Sequence, residues 1–166
     1  MSRKRTVSVD VVLSRSMRQF HRHGYHATSV QTLVDCTGIG RGSLYNSFHS
    51  KRRLFICALR RYISTRQQLL DAALDQPSAR GAILGVFERL IEQSRDGCFV
   101  VNTSVELAPH DREIAQVVAE AFHETEQLFL RLIDQGQATG DVAPGGVLFE
   151  RGRWRAAIRQ RTASFS

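Results

Sequence analysis

Apolar residues in this chain recur at spacings of three and four, the mark of a buried helical face, and no segment keeps the alternation of a half-buried strand. Near the start the stripe is cut into short pieces. Val9, Val12, Leu13, Met17 and Phe20 lead to Gly24; Val30, Leu33 and Val34 lead to Gly38; Ile39 and Leu44 supply the inner side of a third, very short helix. Gly24 and Gly38 suit the left-handed backbone on which helices commonly stop. Thr28 is the expected cap of the second helix and Ser50 that of the fourth.

From Ser50 a longer stripe runs through Leu54, Phe55, Leu59, Tyr62, Ile63 and Leu70, until "DQPS" at 75–78 ends it. Ile83, Leu84, Phe87, Leu90 and Ile91 predict a fifth helix closing near Gly97. "CFVVNTSVELA" at 98–108 reads as helix or strand, with its neighbours favouring helix. Asp111 is placed to cap a last helix whose Ile114, Val117, Val118, Ala121, Phe122, Leu128, Phe129 and Leu132 share one face as far as Gly140. The expected fold is all-α, with a small N-terminal domain at 1–50, a larger helical domain at 51–140 entered through the Ser50 helix, and an irregular Gly/Arg-rich tail at 141–166.

Charge divides the chain in the same way. Residues 1–62 hold twelve Lys and Arg against Asp10 and Asp35 alone, a balance of +10, whereas residues 63–144 carry −7. A basic end joined to an acidic middle points to a polyanionic partner at one end only. Other classes find no support. No run approaches ~20 apolar residues, and "MSRKRTVSVD" lacks the apolar centre of a secretion signal, so a cytoplasmic protein without membrane contact is expected. Cys36, Cys57 and Cys98 are odd in number with no CxxC pair, which argues for reduced thiols and against a disulfide or zinc site. His21, His23 and His26 have no Cys or carboxylate beside them, so no metal is expected. Glu106, His110 and Asp111 lie close together, but no nucleophile motif, phosphate loop or paired-carboxylate pattern accompanies them. Neither an enzyme nor a cofactor is indicated.

A helix, a tight turn at Gly and a second short helix form a helix-turn-helix, whose second helix can enter the ~12 Å major groove of DNA. Val30, Leu33, Val34, Ile39 and Leu44 supply the seam. On the outer side Arg41 can pair with guanine or phosphate, Ser43 can donate or accept, and Gly42 permits close approach; Tyr45 and Asn46 follow one turn later. Lys51 opens the next helix, whose free amides also favour phosphate.

The order of residues in "GYHATSVQTLVDCTGIGRGSLYNSFHSKRRLF", 24–55, resembles the DNA-binding domain of the TetR family of transcriptional regulators. The features that carry it are Gly24-Tyr25, Thr28-Ser29, Gly38, the Gly42-Ser43-Leu44-Tyr45 block, Phe48, and Ser50-Lys51 ahead of Leu54-Phe55. "GCFVVNTSVELAPHDREIA" at 97–115 looks like a C-terminal domain found in part of that family. The resemblance implies a homodimer on a double-stranded DNA operator, usually a repressor, with a small-molecule effector bound in the C-terminal domain. It maps Thr28, Arg41, Gly42, Ser43, Tyr45, Asn46 and Lys51 onto DNA-facing positions, with Thr28, Tyr45 and Lys51 on phosphates. Three positions depart from the common pattern: Gly40 where a capping Ser or small residue is usual, Val34 in place of a smaller seam residue, and Arg52 where an acid often stands. Arg52 would add to the phosphate-seeking surface.

In the second domain Phe87, Phe99, Phe122 and Phe129 are the candidate lining of an effector pocket, against the alternative that they are plain core. Cys98, after Gly97 at a helix start, is a candidate redox-reactive thiol, against the alternative of a small packing residue. The tail departs from the apolar dimer helices common in the family, which leaves open a member with impaired pairing; the basic charge leaves open a binder of nucleic acid by charge alone.

Overall fold

The computed structural model describes residues 7–92 and 96–143, and every regular element among them is a helix. In chain order these are α1 (Val9–His23), α2 (Val30–Thr37), α3 (Arg41–Phe48), α4 (Lys51–Asp71), α5 (Ala79–Glu92), α6 (Phe99–Glu106) and α7 (Arg112–Thr139). The all-α expectation holds for the described residues.

The ends of the helices show why they stop where they do. Ser8 caps α1 through the Val11 amide, and Gly24 ends it at φ 80°, ψ 173°, a positive φ with an extended ψ in place of the left-handed turn expected there. Gly38 does adopt the left-handed conformation, φ 76° and ψ 14°, and its N–H closes on Val34 O at 2.9 Å. The cap of α2 is Ser29, not Thr28: the Ser29 hydroxyl accepts from the Thr32 amide at 3.0 Å. Thr28 is fully buried one residue earlier and donates its hydroxyl to Gly24 O at 2.6 Å. Ser50 caps α4 and Asp111 caps α7, as expected. Residues 98–108 resolve to α6 because Val100, Thr103 and Leu107 turn inward at helical spacing, while Val101 faces out.

Two apolar cores result among the described residues. The first joins Phe20 of α1, Leu33 of α2, Leu44 and Phe48 of α3, and Leu54, Phe55 and Leu59 of α4 to Phe99, Val100, Ile114 and Val118. Aromatic rings tie it together edge to face, Phe20–Phe55 at 5.0 Å, Phe55–Phe99 at 5.4 Å and Tyr62–Phe99 at 5.6 Å between centroids. The second core holds Leu70, Ala73, Ala82, Val86, Leu128 and Leu132, from the end of α4, from α5 and from the last half of α7. The boundary expected at residue 50 falls on the N-cap of α4, yet α6 and the start of α7 pack with the first core, so α4 and α7 are shared rods.

Gly136 lets α7 meet its neighbours closely. A Cβ there would lie 2.5 Å from Val142 Cγ2 and 2.8 Å from Ala79 Cβ. Gly136→Ala is therefore expected to destabilise the protein by about 1–3 kcal/mol through overpacking, despite a helix-propensity gain of about 1 kcal/mol; denaturant unfolding checks it, and a stabilised variant would contradict it. Beyond α7, Asp141 accepts from Ser78 Oγ and the Arg80 amide, each at 2.9 Å, which pins the chain against the start of α5. The irregular tail expected from 141 onward otherwise lies outside the described residues.

Candidate nucleic-acid interface

α3 is held by two anchors and offers the rest of its surface. Leu44 and Phe48, one turn apart, are buried against α2 and α4, and Arg41, Gly42, Ser43, Tyr45, Asn46 and Ser47 are all exposed. Gly40 precedes it with extended backbone and no side-chain cap, leaving the first-turn amides without a side-chain acceptor. A Cβ at Gly40 or Gly42 would meet nothing within 4 Å, so no packing inside the chain requires either glycine. The outer face of α3 is thus a small, donor-rich surface open to an approaching partner.

Of the seven residues expected to face DNA, five form this face. Lys51 stands next to it in the first turn of α4, half-buried, with Nζ 4.1 Å above the Tyr25 ring; burial lowers its pKa and the nearby Glu106 charge opposes that. Thr28 does not belong to the surface, because its side chain is enclosed and its hydroxyl already used. The exposed Ser29 hydroxyl at the α2 N-cap occupies the place expected of it. The adjoining Thr28-Ser29 pair hid this, since either residue type caps a helix.

Several polar side chains near this end are structural. Arg15 donates to Thr37 O at 3.1 Å, supporting the end of α2. Glu106 accepts from the Tyr25 and His26 amides at 3.0 and 2.8 Å. His21 Nε2 is 2.7 Å from Gly97 O. Arg52, expected to seek phosphate, is bound within the protein: its Nε and Nη2 donate to Asp111 Oδ2 and Oδ1 at 2.7 and 2.8 Å, and Nη2 also lies 2.9 Å from Glu113 Oε2. The Arg52 guanidinium, helped by the Ile114 and Glu113 amides, holds the Asp111 carboxyl below the usual carboxylate range. A depressed pKa contributes stability that is complete above the unfolded value, about 4, and disappears as pH falls through the folded value. Asp111→Asn is expected to lower the melting temperature at pH 7, with a deficit that shrinks as pH falls below about 4; a deficit independent of pH would contradict it.

The four phenylalanines do not line one cavity. Phe99 is 2% exposed inside the first core and Phe122 packs against that core. Phe87 and Phe129 pair at 5.6 Å beside the second, Phe87 being half exposed. Helical stripes said that these residues turn inward without saying toward which core. An open groove of about 340 Å³ runs between α4 and α7, beside first-core residues Ile63, Val117 and Ala121, and is also lined by Arg60, Gln67, Glu120 and Glu124. Cys98 is the N-cap residue of α6, half-buried, and the Tyr62 hydroxyl donates toward its Sγ at 3.9 Å. Burial, then the thiol beside it, pushes the Tyr62 phenol up to about 12.

Residues 12–57 match the family model for bacterial regulatory proteins of the tetR family, and residues 77–146 match that for a tetracyclin repressor-like C-terminal domain. The uncharacterized HTH-type transcriptional regulator YezE of Bacillus subtilis is 32% identical over 151 residues, covering 85% of this chain and 78% of that protein. The HTH-type transcriptional repressor ComR of Escherichia coli is 32% identical over 142 residues, 81% of this chain and 68% of ComR. Among solved structures, a cysteine-substituted CifR, a TetR family regulator in complex with 26-bp operator DNA, superposes with a TM-score of 0.71 at 28% identity, covering 87% of this chain and 79% of CifR. With a recognition-type helix exposed on a Gly38 turn and both halves of the chain matched, this protein belongs to the TetR family of DNA-binding transcriptional regulators.

Proposed function

We propose that the chain is a repressor that binds its operator as a homodimer and leaves it when a small molecule binds between α4 and α7. The observation that carries this is the outer face of α3, where Arg41, Ser43, Tyr45 and Asn46 are exposed on a helix anchored by Leu44 and Phe48. Arg41, Ser43 and Asn46 are the base-reading candidates. Tyr45, Lys51 and Ser29 hold phosphates, and Ser29 does so together with the α2 N-terminus. The relative CifR was solved on operator DNA, which supports the same use of the motif here.

The effector is proposed to enter the α4–α7 groove, whose Arg60, Gln67 and Glu120 suit a polar small molecule. Because α4 runs from Lys51 into the second core, ligand there shifts the angle of the DNA-binding end by favouring one of two dimer spacings. Exposed Leu84 and Phe87 on α5 supply apolar surface for pairing. Cys98 is proposed as a thiol that tunes the response: alkylation is expected to weaken operator binding, and Cys98→Ser to abolish that effect, whereas an unchanged effect in the serine variant would leave Cys98 a packing residue.

Selection of bound genomic fragments tests the central reading. A sequence-specific regulator prefers its selected fragment over random duplex by ~10³-fold or more. Near-equal binding would instead favour attachment by charge alone, and a monomer at tens of micromolar by light scattering would overturn the two-half-site arrangement.

A further inference from the structure

Arg52 and Arg53 open α4 directly after Lys51, and by composition they belong to the cationic end offered to a polyanion. The fold cancels them. Arg52 makes a bidentate contact with Asp111 and a further one with Glu113, and Glu113 Oε1 also lies 3.3 Å from Arg53 Nη1. Two cations at the start of α4 therefore face two carboxylates at the start of α7, and the cluster carries no net charge.

The carboxylates are fixed in place. Asp111 Oδ1 also accepts from the Glu113 and Ile114 amides at 3.1 and 3.2 Å, so turning away from Arg52 would uncap α7. The Asp111 side chain is 20% exposed and that of Arg52 42%, a contact partly withdrawn from solvent. A bidentate, charge-assisted pair of this kind is among the stronger polar contacts a protein makes. Arg53, at 57% exposure with a single longer contact, is held less firmly.

We propose that Asp111 and Glu113 are specificity determinants for DNA binding: they withhold Arg52, and more weakly Arg53, from the phosphate backbone. This rests on the reading of α3 as the DNA-contacting face. Attachment to duplex of any sequence strengthens with each phosphate neutralised, whereas only base contacts distinguish one site from another. Taking a cation out of the phosphate-binding set lowers the sequence-independent affinity and leaves the α3 contacts untouched. The ratio of specific to non-specific binding rises accordingly.

The test needs only random-sequence duplex, with binding by fluorescence anisotropy between 50 and 200 mM salt. Asp111→Asn/Glu113→Gln is expected to bind more tightly than wild type, by up to roughly 8-fold per freed cation at 0.1 M salt, with a slope of log K against log salt steeper by about 0.9 per cation. Arg52→Gln is expected to weaken binding only as much as Arg89→Gln, the same charge change at an exposed α5 position, and to keep the wild-type slope. Glu88→Gln/Glu92→Gln, on exposed α5 positions, removes the same charge far from the cluster and serves as the control. The proposal is overturned if Arg52→Gln flattens the slope by about one contact, since Arg52 would then reach phosphate, or if the Asp111/Glu113 variant has the slope of the control. Should the double variant unfold, Asp111→Asn alone retains a capping side chain and must show the same sign. Absence of wild-type binding to any duplex would instead remove the DNA-binding reading itself.

Discussion

Arg41→Ala is expected to weaken binding to the selected operator by about 5- to 150-fold, the roughly 1–3 kcal/mol of a bidentate base contact. Arg41 opens α3 on its exposed side, behind an uncapped Gly40 and ahead of the two anchors, Leu44 and Phe48, which fix the helix whatever stands at position 41. Folding should be unaffected. The same variant is expected to lose only a few-fold on random duplex, because a phosphate contact can be shared by neighbouring cations while a base contact cannot. Equal losses on both duplexes would assign Arg41 to a phosphate and leave base reading to Ser43 and Asn46.

The other large effect is on stability. Phe99→Ala is expected to cost about 3–5 kcal/mol, a fall in melting temperature of roughly 6–20 °C for a chain of this size. Phe99 touches rings from three directions, Phe55, Tyr62 and His21, and is the point at which α6 enters the core shared with α1 and α4. Phe99→Leu should retain most of that stability by keeping volume. If Phe99→Ala melted like the wild type, the site would be a cavity wall and not a core position.

Much of this fold could be read from residue spacing, because helical caps and stripes are local. Gly38, Ser50 and Asp111 announce themselves by residue type next to an apolar run, and Leu44 with Phe48 defines which side of α3 faces out. Contacts between distant segments were not legible. Arg52 looks like a free cation until the fold brings Asp111 to it across 59 residues. Glu106 and Asp111 resemble an acid-base pair in sequence, but each is occupied by backbone amides. Periodicity likewise could not divide Phe99 and Phe122 from Phe87 and Phe129, since a stripe on a long helix passes through both cores without changing its pattern.

The unequal size of those two cores has a dynamic consequence. Among the described residues the second buries three leucines, a valine and two alanines, with one ring pair, Phe87–Phe129, at its edge in place of the interlocked rings of the first. Amide hydrogens in α5 and the last turns of α7 are expected to exchange through a partial opening that leaves α1 to α3 protected, because local unfolding follows the density of buried apolar contact. A molecule that binds only the closed form suppresses the opening by mass action and needs no new fold. Slowed exchange in α5 on adding a candidate compound would show that its binding is felt at that end.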